Sequence, residues 1–72
     1  MKRIAQREFT TPCGIKVTVK LLRKKYQKGH IYKILHEGEV FALGNCPRVY
    51  TTHDIYKQNE STLVAMLKRA AS

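Results

Sequence analysis

The sequence predicts an α+β fold in which an antiparallel sheet of three or four strands, a meander of hairpins, packs against one C-terminal helix. Three patterns support this fold. Apolar and polar residues alternate over residues 15–21, a Glu-Gly pair separates two further strand-like segments, and apolar residues recur at helical spacing near the C-terminus. We expect the 72 residues to form a single small domain with a thin core, because a chain this short buries only about 60% of the surface that it exposes when unfolded.

The clearest predicted strand runs over residues 15–21, where β-branched residues dominate and the side chains alternate. One of its faces is apolar, and the other carries Lys16 and Lys20. The preceding segment 11–14, Thr-Pro-Cys-Gly, suits a type I turn, because proline favours the second position of such a turn and glycine the fourth. Residues 4–10 are therefore predicted to be the antiparallel partner strand.

Glu37-Gly38 predicts a tight hairpin between two strands at residues 30–36 and 39–43, because glycine at the second loop position tolerates a positive φ. With such a turn, Ile34 faces Phe41. The predicted core face then holds Tyr32, Ile34, Phe41 and Leu43, and the predicted outer face holds Ile31, Lys33, Leu35, Val40 and Ala42. Lys33 would share its side of the sheet with the lysines of the preceding strand.

For the C-terminal helix, the sequence predicts Asn59 as the N-cap, with Glu60 in the first turn. Four residues at the i, i+3, i+4, i+7 spacing are expected to face the sheet: Leu63, Met66, Leu67 and Ala70. The segment before this helix is too long to be a bare loop. We expect a short edge strand at 48–51 and a single helical turn at 52–56, capped by Thr52.

The charge of the chain predicts a polyanionic partner. Fourteen Lys and Arg against five Asp and Glu give a formal charge of +9, and the only acidic residue among the first 28 is Glu8. We expect the chain to bind nucleic acid, DNA or RNA, through phosphate contacts from one basic surface. The predicted binding residues are Lys16, Lys20, Arg23, Lys24, Lys25, Tyr26, Lys28 and Lys33, with Lys2, Arg3, Arg7 and Arg48 as further candidates.

Several alternatives remain open from the sequence. Tyr26 would either stack on an unpaired base or pack across its own hairpin. The lysines of the loop would either bind a ligand or simply keep the hairpin tip soluble and block edge pairing. The principal alternative function is a protein-interaction module, an inhibitor or adaptor, that docks on an acidic protein surface. The sequence leaves the oligomeric state open, and a dimer is among the options.

Enzymatic chemistry, a cofactor and a metal site are not predicted. His36 and Glu39 are expected to be a cross-strand polar pair beside the hairpin turn rather than a general acid and base. The histidines and cysteines lack metal-ligand spacing. A small basic ribonuclease is the one catalytic alternative, and its candidate residues are His36 or His53 with Glu37 or Glu39, Arg48 and Tyr50.

Cysteine usage and hydropathy predict the compartment. Cys13 and Cys46 lie far apart in a chain with no recognisable secretory signal, which favours free thiols in a reducing environment. No run approaches the ~20 apolar residues of a membrane span. We therefore expect a cytoplasmic protein that does not enter a membrane. Its predicted outline resembles small DNA-binding modules in which a sheet enters the major groove.

Overall fold

The structure, a computed structural model, describes residues 2–23 and 28–71, with side chains described within 3–23 and 28–68. Four antiparallel strands form one sheet in the order β1-β2-β3-β4, and one helix follows them. The elements are β1 (Lys2–Thr10), β2 (Lys16–Arg23), β3 (His30–His36), β4 (Glu39–Cys46) and α1 (Thr52–Ala71). The predicted α+β class and the meander of hairpins are confirmed.

Both predicted hairpin turns are present. In the β1–β2 turn the backbone N–H of Gly14 donates to the carbonyl of Thr11 at 2.9 Å, and Gly14 has a φ of +85°. In the β3–β4 turn Glu37 and Gly38 have φ values of +50° and +82°. Two successive positive φ values give a turn whose twist matches the twist of the strands that it joins.

The core lies between one face of the sheet and the helix. Strand alternation points every second residue of β2 at α1, as the sequence predicts, and the helix packs mainly on β1 and β2. The most completely buried side chains are Val17, Val19, Ile34, Ile55, Leu63 and Leu67. Removal of these apolar side chains from water is the main favourable term in folding. Of the remaining predicted helix-face residues, Met66 is only half-buried, and the side chain of Ala70 lies outside the described residues.

An aromatic stack joins the helix to the edge strand β1. The rings of Phe9 and Tyr56 are almost parallel, with centroids 4.6 Å apart. The Tyr56 hydroxyl donates to the carbonyl of Thr10 at 3.3 Å. Burial, and then the nearby Glu60 carboxylate, raises the pKa of Tyr56 to about 12. The phenol therefore stays protonated and keeps donating throughout the physiological range.

The predicted register of the β3–β4 hairpin is wrong beyond its first residues. Leu35 faces Val40 as expected, but Ile34 faces Ala42 instead of Phe41, because a bulge adds one residue to β4. Ala42 therefore points to the helix side of the sheet and Leu43 to the other side. A period-two pattern cannot reveal such an insertion, because the residues on both sides of the bulge are apolar.

The predicted start of the helix is also wrong. No edge strand forms at 48–51 and no separate helical turn forms at 52–56, because α1 is continuous from Thr52. Thr51 is the cap: its hydroxyl accepts from the Asp54 N–H at 3.2 Å, and the Asp54 carboxylate accepts from the Thr51 N–H at 2.9 Å. Asn59 lies inside the helix and donates to the Ile55 carbonyl.

We expect Thr51→Ala to destabilise the protein by about 1 kcal/mol near neutral pH, because it removes the N-cap side chain. The Asp54 carboxylate accepts hydrogen bonds from the Thr51 backbone N–H and from the Thr51 hydroxyl, and these bonds lower the pKa of Asp54 from its usual 3.8. A lowered carboxyl pKa contributes stability that is complete above 3.8 and is lost as the pH falls through the folded-state pKa. Thr51→Ala keeps the backbone N–H bond to this carboxylate and removes only the hydroxyl's bond to it, so the cost should fall only slightly in acid, while the capping bond to the Asp54 N–H is lost at every pH.

Urea denaturation at several pH values measures this cost. Thr62→Ala makes the same change at an exposed site within α1 and should leave stability nearly unchanged or slightly raised. Equal losses in the two variants would contradict the capping role of Thr51.

Two glycines are required by close contacts. A Cβ at Gly29 would lie 2.7 Å from the carbonyl oxygen of Cys46, and a Cβ at Gly44 would lie 2.8 Å from the Tyr32 ring. A backbone carbonyl cannot move aside without shifting its strand, whereas a tyrosine ring can rotate. We expect Gly29→Ala to cost about 1–3 kcal/mol, in the range of overpacked sites, and Gly44→Ala to cost less. Thermal denaturation of both variants measures the two losses of stability. A larger loss for Gly44→Ala than for Gly29→Ala would contradict the prediction.

Candidate nucleic-acid interface

One face of the sheet carries no helix. Register and strand alternation place fourteen side chains on it, and none of them belongs to the fully buried set. We call this surface the open face. Its residues are Arg3, Gln6, Glu8, Thr10, Lys16, Thr18, Lys20, Leu22, Ile31, Lys33, Leu35, Val40, Leu43 and Asn45.

Two lysines meet at the centre of the open face. Lys20 of β2 is directly opposite Lys33 of β3, and the flanking residues in the same row across the sheet are Gln6 and Leu43. Residues directly opposite in an antiparallel pair have Cβ atoms about 5 Å apart, and like charges there are destabilising. Both side chains are half-buried. The predicted convergence of these lysines on one side is confirmed, and their row contains no carboxylate to neutralise them.

Lys16 lies on the same face and has an acidic neighbour. Its Nζ is 4.0 Å from a carboxylate oxygen of Glu8, and both side chains are well exposed. Such an exposed pair contributes little to stability, so Lys16 can exchange Glu8 for another anion at small cost. Glu8 is the only acidic residue among the strand residues of the open face.

Arg3 reaches the open face because of a bulge in β1. The register shifts between Arg3 and Ala5, so Arg3 lies opposite Leu22. Simple alternation would have placed Arg3 on the helix side together with Ala5. The Arg3 guanidinium donates to the Gln6 side-chain oxygen at 2.9 Å, which holds it beside the lysine row. The sequence supplies Arg3 only as a further candidate, since nothing in its pattern reveals the bulge.

Other predicted binding residues do not join this surface. Arg23 is exposed, but the alternation of β2 places it on the helix side with Leu21. Arg7 also lies on the helix side, where its guanidinium is 5.3 Å from the centroid of the Phe9 ring. The single basic surface that the sequence predicts is therefore divided between the two faces of the sheet.

The loop residues of the prediction have different positions. Lys28 is exposed in the bend before β3, and Arg48 is exposed in the turn between β4 and α1. Lys24, Lys25 and Tyr26 lie outside the described residues, and so does the side chain of Lys2. The basic residues that the structure brings together on the open face are Arg3, Lys16, Lys20 and Lys33.

The rest of the open face is aliphatic. Leu22, Ile31 and Leu35 are half-buried, and Val40 and Leu43 are exposed. None of the open-face residues is aromatic: the Tyr32 side chain lies on the helix side against Gly44, and Phe41, the bulge residue of β4, packs against the core. The open face as described therefore offers charges and aliphatic contacts, and no ring on which a base could stack.

The candidate residues of the ribonuclease alternative do not come together in the structure. His36 and Glu39 are cross-strand partners as predicted, and His36 Nδ1 donates to the Lys16 carbonyl at 3.1 Å. This pair lies at the β3–β4 turn, whereas Arg48 and Tyr50 follow the opposite end of β4. A strand of this length separates its ends by roughly 20 Å, so these residues do not form one site.

The cysteines are both free, as predicted. Cys13 is exposed in the first turn, where its sulfur lies 3.0 Å from the Thr11 hydroxyl. Cys46 is buried at the end of β4, and burial raises the pKa of its thiol. Within the described part of the chain, no three His, Cys, Asp or Glu side chains are grouped so that they could hold a metal ion.

Two further findings bear on function. Over residues 2–23 and 28–71, no helix is long and apolar enough to span a bilayer. Comparison of the chain with protein-family models, with curated proteins and with solved structures finds no match. The open face is therefore the feature of the molecule from which a function is inferred.

We expect Lys33→Gln to stabilise the isolated protein by about 0.2–1 kcal/mol at low ionic strength, because it removes a like-charge cross-strand pair. The gain should fade in about 1 M salt, where the Debye length is only ~3 Å. Lys57→Gln is the matched control, since Lys57 is 3.9 Å from a carboxylate oxygen of Glu60 and should lose a little stability instead. Chemical denaturation at both salt concentrations checks this, and destabilisation by Lys33→Gln at low salt would show that Lys20 and Lys33 do not repel.

Proposed function

We propose that this chain is a nucleic-acid-binding protein that holds phosphates on the open face of its sheet. The observation that carries the proposal is the Lys20–Lys33 pair, which lies at the centre of an uncovered surface with no carboxylate in its row. Folding gains nothing from two opposed lysines. A phosphate bound between them would convert this repulsion into two charge-assisted contacts.

The proposed site extends from this pair in two directions. Arg3 is held beside the lysine row by its hydrogen bond to Gln6. Lys16 lies four residues from Lys20 along β2 on the same face, with Thr18 between them, and its exposed pairing with Glu8 is weak. Four cations along a twisted sheet can follow a phosphate backbone. A phosphate contact of this kind positions the protein and carries no sequence information by itself.

A duplex is the preferred ligand in this proposal. Double-stranded DNA carries one charge per ~1.7 Å of its axis, about twice the density of a single strand. Single-strand binding usually adds stacking on aromatic rings, and the open face has none among its residues. The aliphatic side chains around the lysines would then contact sugars or groove walls.

A second candidate function rests on the aliphatic part of the same surface. Val40 and Leu43 are among the exposed large apolar side chains, and Leu22, Ile31 and Leu35 continue the strip. An exposed apolar strip combined with positive charge is typical of a protein-binding surface. The alternative is therefore an interaction module that docks on a protein whose surface is acidic and apolar.

Fluorescence anisotropy with labelled single- and double-stranded DNA and RNA tests the proposal. We expect sub-micromolar binding of a duplex at about 50 mM salt, weaker by about 150-fold at about 200 mM, from a slope of ~0.9 for each of four phosphate contacts. Lys20→Gln combined with Lys33→Gln should reduce this slope by about 1.8.

Lys57→Gln combined with Lys68→Gln is the control, because it removes the same charge from exposed positions on the helix. It should leave the salt slope nearly unchanged. If both double variants weaken binding equally, or if heparin competes as well as any nucleic acid, binding reflects net charge alone and the proposed site is wrong. Absence of nucleic-acid binding at low salt would favour the protein-binding alternative.

A further inference from the structure

The two edges of the sheet differ in how they are protected. The β1 edge contains a bulge at Ile4 and four charged residues, which are common devices against edge-to-edge pairing. The β4 edge has one charged residue, Glu39, and no proline or lysine. Beyond its bulge, the segment 42–46 pairs with β3 in regular register. This edge is therefore a usable template for another strand.

Exposed apolar side chains are concentrated at β4. Val40 is 51% exposed and Leu43 is 62% exposed, and Val49, in the turn that follows the strand, is 83% exposed. Of the exposed large apolar side chains in the described residues, only Ile4 lies elsewhere, and it occupies the bulge of β1. These side chains are spread along the strand and the turn after it, and an exposed apolar edge strand is a site for pairing with another chain.

The charge around β4 favours a second copy of this chain as the partner. Residues 34–47 contain two acidic residues, Glu37 and Glu39, and no Lys or Arg, although the whole chain carries +9. Two copies that meet through their open faces would bring lysines together. Two copies that meet at β4 would not, so this edge is where the chain can approach itself with least repulsion.

We propose that β4 pairs in antiparallel orientation with β4 of a second copy of this chain, through the regular segment 42–46. The partner strand would satisfy backbone N–H and C=O groups that point away from β3, in the manner of strand addition at a sheet edge. An antiparallel pair of identical strands is related by a twofold axis perpendicular to the sheet. Both helices therefore lie on one side of an eight-stranded sheet, and both open faces lie on the other.

This arrangement goes beyond the proposed function and does not depend on it. It joins the two open faces into one surface, in which the β3 strands of the two copies are about 14 Å apart and the β2 strands about 24 Å apart, from a spacing of ~4.8 Å per strand. The Lys20–Lys33 pair of each copy would lie symmetrically about the axis. The dimer thus provides a twofold basic surface.

The dimer is expected to be weak. A contact of five residues per strand, with Val40 and Leu43 beside it, buries less than the ~800 Å² per partner of a standard interface. We expect a Kd of about 10–100 µM, because interfaces below the standard size are usually weak and transient. Sedimentation velocity of the full chain, from about 5 to about 500 µM, spans this range on both sides. The average mass should rise toward twice the 8.3 kDa of one chain.

Leu43→Asp should raise the Kd at least tenfold, because it places two carboxylates at the shared edge. Ile4→Asp makes the same change at the opposite, bulged edge and should leave the Kd unchanged. Thermal denaturation at low concentration checks that both variants still fold. In the native chain, deuterium uptake at the amides of 42–46 should fall as the concentration rises, while uptake in β1 should not.

Three results would overturn the proposal. The first is a chain that remains monomeric at about 500 µM. The second is a dimer that survives Leu43→Asp but is disrupted by Leu22→Asp, which would place the contact on the open face. The third is concentration-dependent protection confined to α1 or β1. None of these measurements includes a nucleic acid, so failure of the dimer is distinguishable from failure of the proposed function.

Discussion

Packing of one helix against one face of the sheet is the constraint on which the rest of the structure depends. The alternating side chains of β2, Val17, Val19 and Leu21, pack against Ile55 and the leucines of α1. The described residues of this 72-residue chain form a single helix, and it covers one side of the sheet. The other side must therefore face water or a partner, and its composition is free to serve binding.

The residues of the open face are not those that would make the folded protein most stable. A sheet face exposed only to water would gain from alternating charges or from threonine pairs across the strands. Here Lys20 and Lys33 are opposed, and the residues around them are aliphatic. The opposed lysines cost folding free energy in a protein whose core is small. A ligand that is both anionic and partly apolar, as a nucleic-acid groove is, would offset this cost and cover the aliphatic side chains.

Two bulges connect the edges of the sheet with its open face. A bulge in β1 turns Arg3 toward the open face and also disrupts the outer edge of that strand. The bulge in β4 turns Leu43 outward but leaves the following residues regular. The bulge in β1 thus disrupts that edge and adds Arg3 to the open face, whereas the β4 edge keeps a regular segment that a strand could pair with. Two single-residue insertions decide which residues a partner can reach.

The sequence by itself determined the fold class, both turns and the common side of Lys16, Lys20 and Lys33, because strict alternation and turn glycines act locally. It did not determine on which face of the sheet Arg3 and Leu43 lie. A bulge moves the residues beyond it to the opposite face, and neither an apolar nor a charged run of residues reveals where the bulge is. Nor did it decide that the helix begins at Thr52. Neither predicted cap, Thr52 or Asn59, is used: Thr51 caps the helix, which begins early enough to bury Ile55 and Tyr56 against the sheet.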